Sequence, residues 1–335
     1  MDTSKKRLRV NEIMSPIIIN WESIKRSIPI VYLLPFSTFR TRLKDKMYHF
    51  RRQHELLASK EILTDDQGNV LLEFRRDCEA AKKRDLLKAP RDNIIFEYLK
   101  NQGRWAQEES DFIVEQLNKF EDYASIKSVV VDMGANVGLI SLQIARKANY
   151  VPEFIFVEPI PRHIEALKFN LAGNSEIKSY KICEYALAKN SAKGSIIINH
   201  FNLGASYVSN TPPKNLGNDF TIESIPIKGI NDFAREHFFG YERIFLKSDL
   251  EGLDLEVLGN LPSDYWNKVA AGVIEVISNK NGDKHALENI LKQLESFSIV
   301  TWNPYVRVKL SSMEISNFWL DSETYMTRNL FFTRT

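Results

Sequence analysis

Three groups of residues in this chain combine side chains and spacings suited to chemistry. The first is Asp132-Met133-Gly134-Ala135-Asn136-Val137-Gly138, an acid followed by a turn with two glycines. Gly134 and Gly138 offer positive-φ or close-approach positions that a side chain would block, which lets backbone lie against a nucleotide-type ligand. The spacing is not the Gly-x-Gly-x-x-Gly of dinucleotide folds, and that argues against a hydride-transfer cofactor. The second group is Glu158-Pro159, at the end of the apolar run Phe154 to Val157. An acid roughly 20 residues past such a turn can accept both hydroxyls of a ribose. The third is Lys247-Ser248-Asp249-Leu250-Glu251-Gly252. Asp249 and Glu251 are candidate proton acceptors or anchors for a hydroxyl, and Lys247 is a candidate to orient a carboxylate or a sugar. Quieter roles stand beside these. Asp132 and Glu158 could cap helices, Glu251 could cap a helix beginning near Asp254, and Lys247 could be a strand-end surface residue.

An acid before the turn suits a ligand with an ammonium group, and S-adenosylmethionine carries both that and a ribose. At this point the residues resemble the FkbM-type S-adenosylmethionine-dependent O-methyltransferases. The resemblance rests on Val131 to Gly138, Glu158-Pro159 and Lys247 to Gly252. It continues through Asn170-Leu171, Ala186-Leu187-Ala188, Gly204-Ala205-Ser206 and Ile230-Asn231-Asp232-Phe233, covering approximately residues 103–335. Ser248 departs from it, since the family usually has an aliphatic residue there, and so does Asn231, where aspartate is common.

The resemblance implies a Rossmann-like class I methyltransferase fold and S-adenosylmethionine held by Asp132, Gly134, Ala135, Asn136, Gly138, Glu158 and Pro159. Asp249 is the candidate for the methionine end. Trp105, with Glu108 and Glu109, resembles a family segment near the cofactor mouth, and Gly204 to Ser206 resembles a small-residue loop over the methionine moiety. Glu184 and Tyr185, at the end of the third strand, are expected to meet the adenine. The implied reaction is methyl transfer to a hydroxyl, of a sugar in a polysaccharide or glycolipid. Two alternatives are a natural-product O-methyltransferase and an inactive cofactor-fold module that scaffolds a glycan-assembly complex. Intact Asp132, Gly134, Gly138 and Glu158 weigh against the second.

These groups need a frame, and the hydrophobic pattern predicts one. Val129-Val130-Val131 suits a strand covered on both faces, and Leu139, Leu142, Ile144 and Ala145 follow at helical spacing. Strand and helix then alternate, which demands crossover connections and a mostly parallel doubly wound sheet. Asn329-Leu330-Phe331-Phe332-Thr333 is the expected antiparallel last strand. Residues 1–102 are expected to be mainly helical, with helices near 20–34, 36–60, 77–88 and 92–100 and a hairpin at 62–74. Among the histidines, His200 follows an apolar run and is a candidate general base. His237 is expected as a cation at a helix C-terminus, and His163 on a surface. No metal site is expected, because the spacing of Asp249 and Asp254 is not diagnostic of one.

The chain has 335 residues, 44% of them hydrophobic, enough for a methyltransferase-sized domain and a smaller unit. Only Cys78 and Cys183 are present, without a zinc or disulfide framework, and no signal pattern or membrane-length apolar run appears. A cytoplasmic location is expected. Charge is uneven: residues 1–100 carry 21 Lys or Arg against 14 Asp or Glu, although the whole chain is only +2. The basic residues gather at Arg40 to Arg52 and Arg75 to Lys88, downstream of the short apolar stretch Ile28 to Phe36. Such a region suits an anionic membrane surface or an anionic glycan, or equally a solvated helical face whose apolar side packs on its own core or on a second subunit. Nucleic acid is disfavoured, because no aromatic-studded strand or zinc-finger spacing accompanies the charges.

Overall fold

A computed structural model of the chain describes residues 59–64, 69–75, 84–92, 94–102, 105–120, 125–209, 217–278, 283–306, 308–320 and 326–334. The helix expected over 20–34, the apolar stretch 28–36 and the basic cluster 40–52 lie outside these residues, as does most of the helix expected over 36–60. Compactness separates Leu56–Thr335 from Met1–Glu55, and the boundary expected at 102/103 falls inside the larger unit.

That unit begins with an antiparallel sheet of β1 (Ser59–Thr64), β2 (Asn69–Arg75) and β3 (Arg84–Pro90). The first two strands are the expected hairpin, paired from Ser59↔Phe74 to Thr64↔Val70. The helix expected over 77–88 is corrected over 84–88, because Arg84–Pro90 is a strand paired with β2 from Arg75↔Arg84 to Asn69↔Pro90; residues 77–83 lie outside those described. Leu87 and Ala89 are buried and alternate with the exposed Leu86 and the part-exposed Lys88, a period of two that a helix cannot satisfy.

Helices α1 (Ile95–Gln102) and α2 (Gln107–Asn118) follow. The central sheet contains β4 (Ser128–Met133), β5 (Glu153–Val157), β6 (Tyr180–Cys183), β11 (Arg243–Ser248), β12 (Val269–Ile277), β13 (Ile299–Thr301) and β14 (Thr327–Thr333). Its order is β13-β14-β12-β11-β4-β5-β6, with β14 antiparallel to both neighbours and the pairs from β12 to β6 parallel. This is the class I methyltransferase sheet, with its last strand inserted where Asn329 to Thr333 was expected.

The sheet is buried on both faces, and alternation assigns its residues. Val129, Val131, Ile155, Val157, Ile244 and Leu246 belong to one apolar cluster, while Val130, Phe154, Phe156 and Phe245 belong to another. The second face is covered by α2, α3 (Leu139–Lys147) and α4 (Pro161–Ala172), and also by Val70, Leu72, Leu87, Phe96 and Leu99. The first face packs on α5 (Ile230–His237), α6 (Asp254–Gly259) and α8 (Lys284–Leu294), with the short α7 (Ser263–Trp266) and α9 (Ser312–Trp319) beside them.

A second sheet, order β7-β10-β8-β9, was not anticipated as a unit. It consists of β7 (Ala186–Ala188), β8 (Ala192–Asn199), β9 (Tyr207–Ser209) and β10 (Phe220–Gly229). Pro226 inside β10 reads as a strand breaker in sequence. In the fold it stands opposite Lys193 in a regular antiparallel register. A 3₁₀ turn, Leu203–Ala205, joins β8 to β9.

Candidate active site

A cavity of about 380 Å³ opens beyond the carboxyl ends of β4, β5 and β11, where open parallel sheets bind their ligands. Its floor is the turn after β4. Gly134 has φ +73, and a Cβ there would lie 1.9 Å from the carbonyl oxygen of Asp249. The turn and the chain leaving β11 therefore touch backbone to backbone. The amides of Gly134 and Ala135 donate to the Val157 carbonyl at 3.0 and 2.9 Å, and Asp249 N donates to Met133 O at 3.0 Å.

Glu158 fastens this turn to the next strand. Its Oε2 accepts from Asn136 N at 2.8 Å, Oε1 accepts from Ile160 N at 3.0 Å, and His163 Nδ1 stands 3.1 Å from Oε1. Glu158, Pro159, Ala135 and Asn136 all line the cavity. So does His163, which is 2% exposed and not the surface residue expected. Its Nε2 has no hydrogen-bond partner among the described residues. With Nδ1–H given to the Glu158 carboxylate, Nε2 is left as an acceptor, the complement of a ribose hydroxyl or an adenine amine. A backbone cradle at Gly134, an acid and a buried unpartnered acceptor together fit S-adenosylmethionine. His163 has no motif of its own. Its place five residues past Glu158, on the first turn of α4, is the signal that marks it.

Beneath the turn lies a buried ion pair. Lys247 stands opposite Asp132 in the β11–β4 register, 3.3 Å from its Oδ1, and donates to Gly134 O at 2.7 Å. It is 3% exposed, which corrects the surface reading. Burial opposes its charge, but Asp132, Asp249 and Glu109 outweigh burial and hold the ammonium above the usual lysine range. Burial pushes the Asp132 carboxyl up, against the pull of Lys247 and of Ser141, whose Oγ donates to it at 2.7 Å. Asp132 does not line the cavity, and the ammonium beside it is that of Lys247. Gly138, φ +82, likewise shapes the turn from behind the wall.

Three carboxylates converge from two strands. Ser248 pairs with Ile274, which sets Glu275 beside Asp249, and both line the cavity together with Glu251. One carboxylate oxygen from each of these three acids lies within 4.8 Å of the others. Three such oxygens are also a donor set for a divalent cation, a convergence invisible in the spacing of Asp249 and Asp254. Glu251 adopts φ +52, and burial, then the charges of Asp249 and Asp254, raise its carboxyl to about 8. Burial and then Asp249 push Glu275 up as well. Asp254 points elsewhere: it accepts from Ser248 Oγ at 2.5 Å and from Leu250 N at 3.0 Å, and burial raises it to about 7. Ser248, the departure from the family pattern, thus has a partner. Glu251 does not cap α6, which has no side-chain cap. Glu275 carries no motif and is found only through strand register.

Tyr185 and Trp105 reach the cavity wall. Tyr185 Oη lies 2.9 Å from His237 Nε2, and burial holds that imidazole down to about 4. His237 is therefore a neutral buried partner and not the cation expected at a helix end. Trp105 meets Tyr98 edge to face at 5.4 Å, and its carbonyl accepts from Gln143 Nε2 at 2.6 Å. Glu109 lines an adjoining cavity of about 750 Å³, which shares Trp105, Asp249 and Glu275 with the first. Burial raises Glu109 to about 7, and Asn329 Nδ2 donates to it at 2.8 Å. Two candidates lie elsewhere. Glu184 is exposed and paired with Lys168 at 2.8 Å, and His200 is exposed with Nε2 3.0 Å from Thr221 Oγ1. Both are solvent-facing ends of their strands, so neither lines either cavity.

Residues 132–298, which hold the glycine turn, Glu158 and the Lys247–Gly252 segment, match the methyltransferase FkbM domain. The chain belongs to the FkbM methyltransferase family. It is an S-adenosylmethionine-dependent methyltransferase. Over 197 residues it is 28% identical to methyltransferase sdnD of Sordaria araneosa, covering 50% of this chain and 74% of that one. Among solved structures it is similar to a precorrin-6y C5,15-methyltransferase from Geobacter metallireducens, at 9% identity and TM-score 0.33, over 67% of this chain and 87% of that one. It is also similar to an S-adenosylmethionine-dependent O-methyltransferase from Thermotoga maritima, at 13% identity and TM-score 0.33, over 83% of this chain and 86% of that one. At such scores the fold rests on its own strand order.

Proposed function

We propose that this FkbM methyltransferase transfers its methyl group to a hydroxyl oxygen, of a sugar in a polysaccharide or glycolipid. The observation that carries this reading is the set of carboxylates from Asp249, Glu251 and Glu275 on the cavity wall. When bound, S-adenosylmethionine supplies a methyl already activated on a sulfonium. What the protein adds is position and a destination for a proton. A hydroxyl is a weak nucleophile, and a carboxylate whose pKa lies near the working pH is an effective acceptor of its proton. Glu251, at about 8, meets that requirement. Lys247 holds the Gly134 carbonyl and lies 3.6 Å from Asp249 Oδ2, so it orients the wall without titrating. Glu158, Asn136 and Tyr185 would hold the nucleoside end. Aromatic Trp105 and Tyr98 next to acids on the adjoining cavity suit a hydroxyl-rich ring.

This reading includes a cytoplasmic location, which the two cysteines outside any disulfide framework support. It also includes a role for the basic residues at 40–52 and 75–88 in drawing the protein to an anionic glycan or membrane surface. Among the described residues no helix is long and apolar enough to cross a membrane. A flotation assay with anionic liposomes tests the surface role, and recovery only in the soluble fraction at low salt removes it.

The reaction is tested by transfer of labelled methyl to a panel of glycans, with mass localisation of the label. Label on a sugar oxygen, with kcat lowered about 100-fold in Glu251→Gln and cofactor affinity unchanged, is the expected result. Label on nitrogen or carbon, or full activity in Glu251→Gln, rejects it.

A further inference from the structure

Part of the cofactor cavity is built from residues outside the matched domain. Ile94, Ile95 and Trp105 form that wall, and the Leu203–Ala205 turn, inside the matched domain, forms another. Among the described residues these walls belong to different apolar clusters, Phe96 and Leu99 of α1 to one and Leu203 to another. Apolar packing within one cluster does not hold them together. A buried carboxylate links them: Asp92, 5% exposed. Its Oδ1 accepts from Ile94 N at 3.1 Å and from Phe96 N at 2.8 Å, tying up the first turn of α1. Its Oδ2 accepts from Leu203 N at 3.2 Å, a bond that spans 111 residues of sequence. Beside it, Ile95 and Gly204 approach so closely that a Cβ on Gly204 would lie 2.6 Å from Ile95 Cδ1.

The turn is also anchored on its far side. Ser206 Oγ donates to Leu203 O at 2.8 Å and accepts from Asn199 N at 3.2 Å. Asn199 Oδ1 accepts from Phe201 N at 3.1 Å and Asn202 N at 3.2 Å. The turn is therefore braced on β8 on one side and bonded to the carboxylate of Asp92 on the other.

We propose that Asp92 is a positioning residue for the cofactor, locking α1 to the Leu203–Ala205 turn and so setting the separation of two walls of the cavity. Hydrogen bonds to an ionised carboxylate are the stronger kind, and losing this one leaves a buried N–H at Leu203 without its acceptor. Cofactor binding would then have to order the two walls as well as fill the space between them.

The test uses the full chain and reads cofactor binding, so it is independent of the acceptor. Asp92→Asn retains one oxygen for the first turn of α1 and turns an amide NH₂ toward Leu203 N–H, which separates helix capping from the cross-cavity bond. Calorimetry should show S-adenosylmethionine binding weakened about tenfold, with faster hydrogen exchange at the Leu203 amide and slow exchange retained at Phe96. In the wild-type protein, S-adenosylmethionine should slow exchange at Leu203. Cofactor affinity within twofold of wild type in Asp92→Asn, whatever its melting temperature, overturns the proposal. So does a Leu203 amide in the wild type that exchanges equally fast with and without the cofactor, a measurement that stands even if the variant does not fold.

Discussion

Glu158 ties the turn after β4 to α4, because it meets the Asn136 amide, the Ile160 amide and His163 while lining the cavity. Glu158→Ala removes all three partners at once. Calorimetry should show S-adenosylmethionine binding weakened at least about tenfold, and unchanged affinity would take Glu158 out of the site. The acids opposite it make stability depend on pH. Glu251 is raised from 4.5 to about 8 and Asp254 from 3.8 to about 7, both chiefly by burial. Between the ordinary and raised values the folded chain holds protons that the unfolded chain has released. The contribution of these acids to stability is therefore greatest below the ordinary carboxylate range, falls as pH rises through the window, and levels off above about 8. Urea denaturation across this range should show that decline, and Glu251→Gln should flatten its upper part. A profile unchanged by the substitution would mean that Glu251 titrates as a solvated acid.

At the scale of elements, the decisive contact is between the turn after β4 and the chain leaving β11. Gly134 combines positive φ with a carbonyl at 1.9 Å from any Cβ. Gly134→Ala should cost about 3 kcal/mol or more, from left-handed strain plus overpacking, and should abolish measurable cofactor binding. Chemical denaturation gives the first figure and calorimetry the second. This turn was legible in sequence, because glycine spacing next to a β-branched run is local information. The acids on neighbouring strands were legible only in part. Asp249 and Glu251 share one segment, whereas Glu275 reaches them through a parallel register that no local pattern encodes. The β10 strand was hidden for a related reason: its partner β8 lies two dozen residues back, and that pairing overrides the local signal of Pro226.

At the scale of the whole molecule, β3 and the methyltransferase core are joined at Asn170. Its Nδ2 donates to Val137 O and Lys88 O, both at 2.9 Å, and its Oδ1 accepts from Lys88 N at 2.6 Å. One side chain thus holds the floor of the cofactor cavity, α4 and the first sheet in register. Asn170→Ala should lower unfolding free energy by about 3 kcal/mol, because it leaves the buried Val137 carbonyl and the part-buried N–H and C=O of Lys88 without this partner. A loss near zero in denaturation would show that solvent or a shifted β3 replaces these bonds. The described part of residues 1–102 belongs to this arrangement through Val70, Leu72, Leu87 and Phe96.

By itself the sequence determined the alternation of strands and helices, the glycine turn, the acid after the next strand and the Lys247–Gly252 segment. All of these are carried by side-chain type at short spacing. Only the tertiary structure decided that Lys247 is buried against Asp132, that His237 is neutral, that His163 rather than His200 reaches the cavity, and that Asp92 meets the Leu203 amide. Burial and the choice of partner depend on elements far apart in the chain, and burial is what sets the charge, and hence the chemistry, of an ionisable side chain.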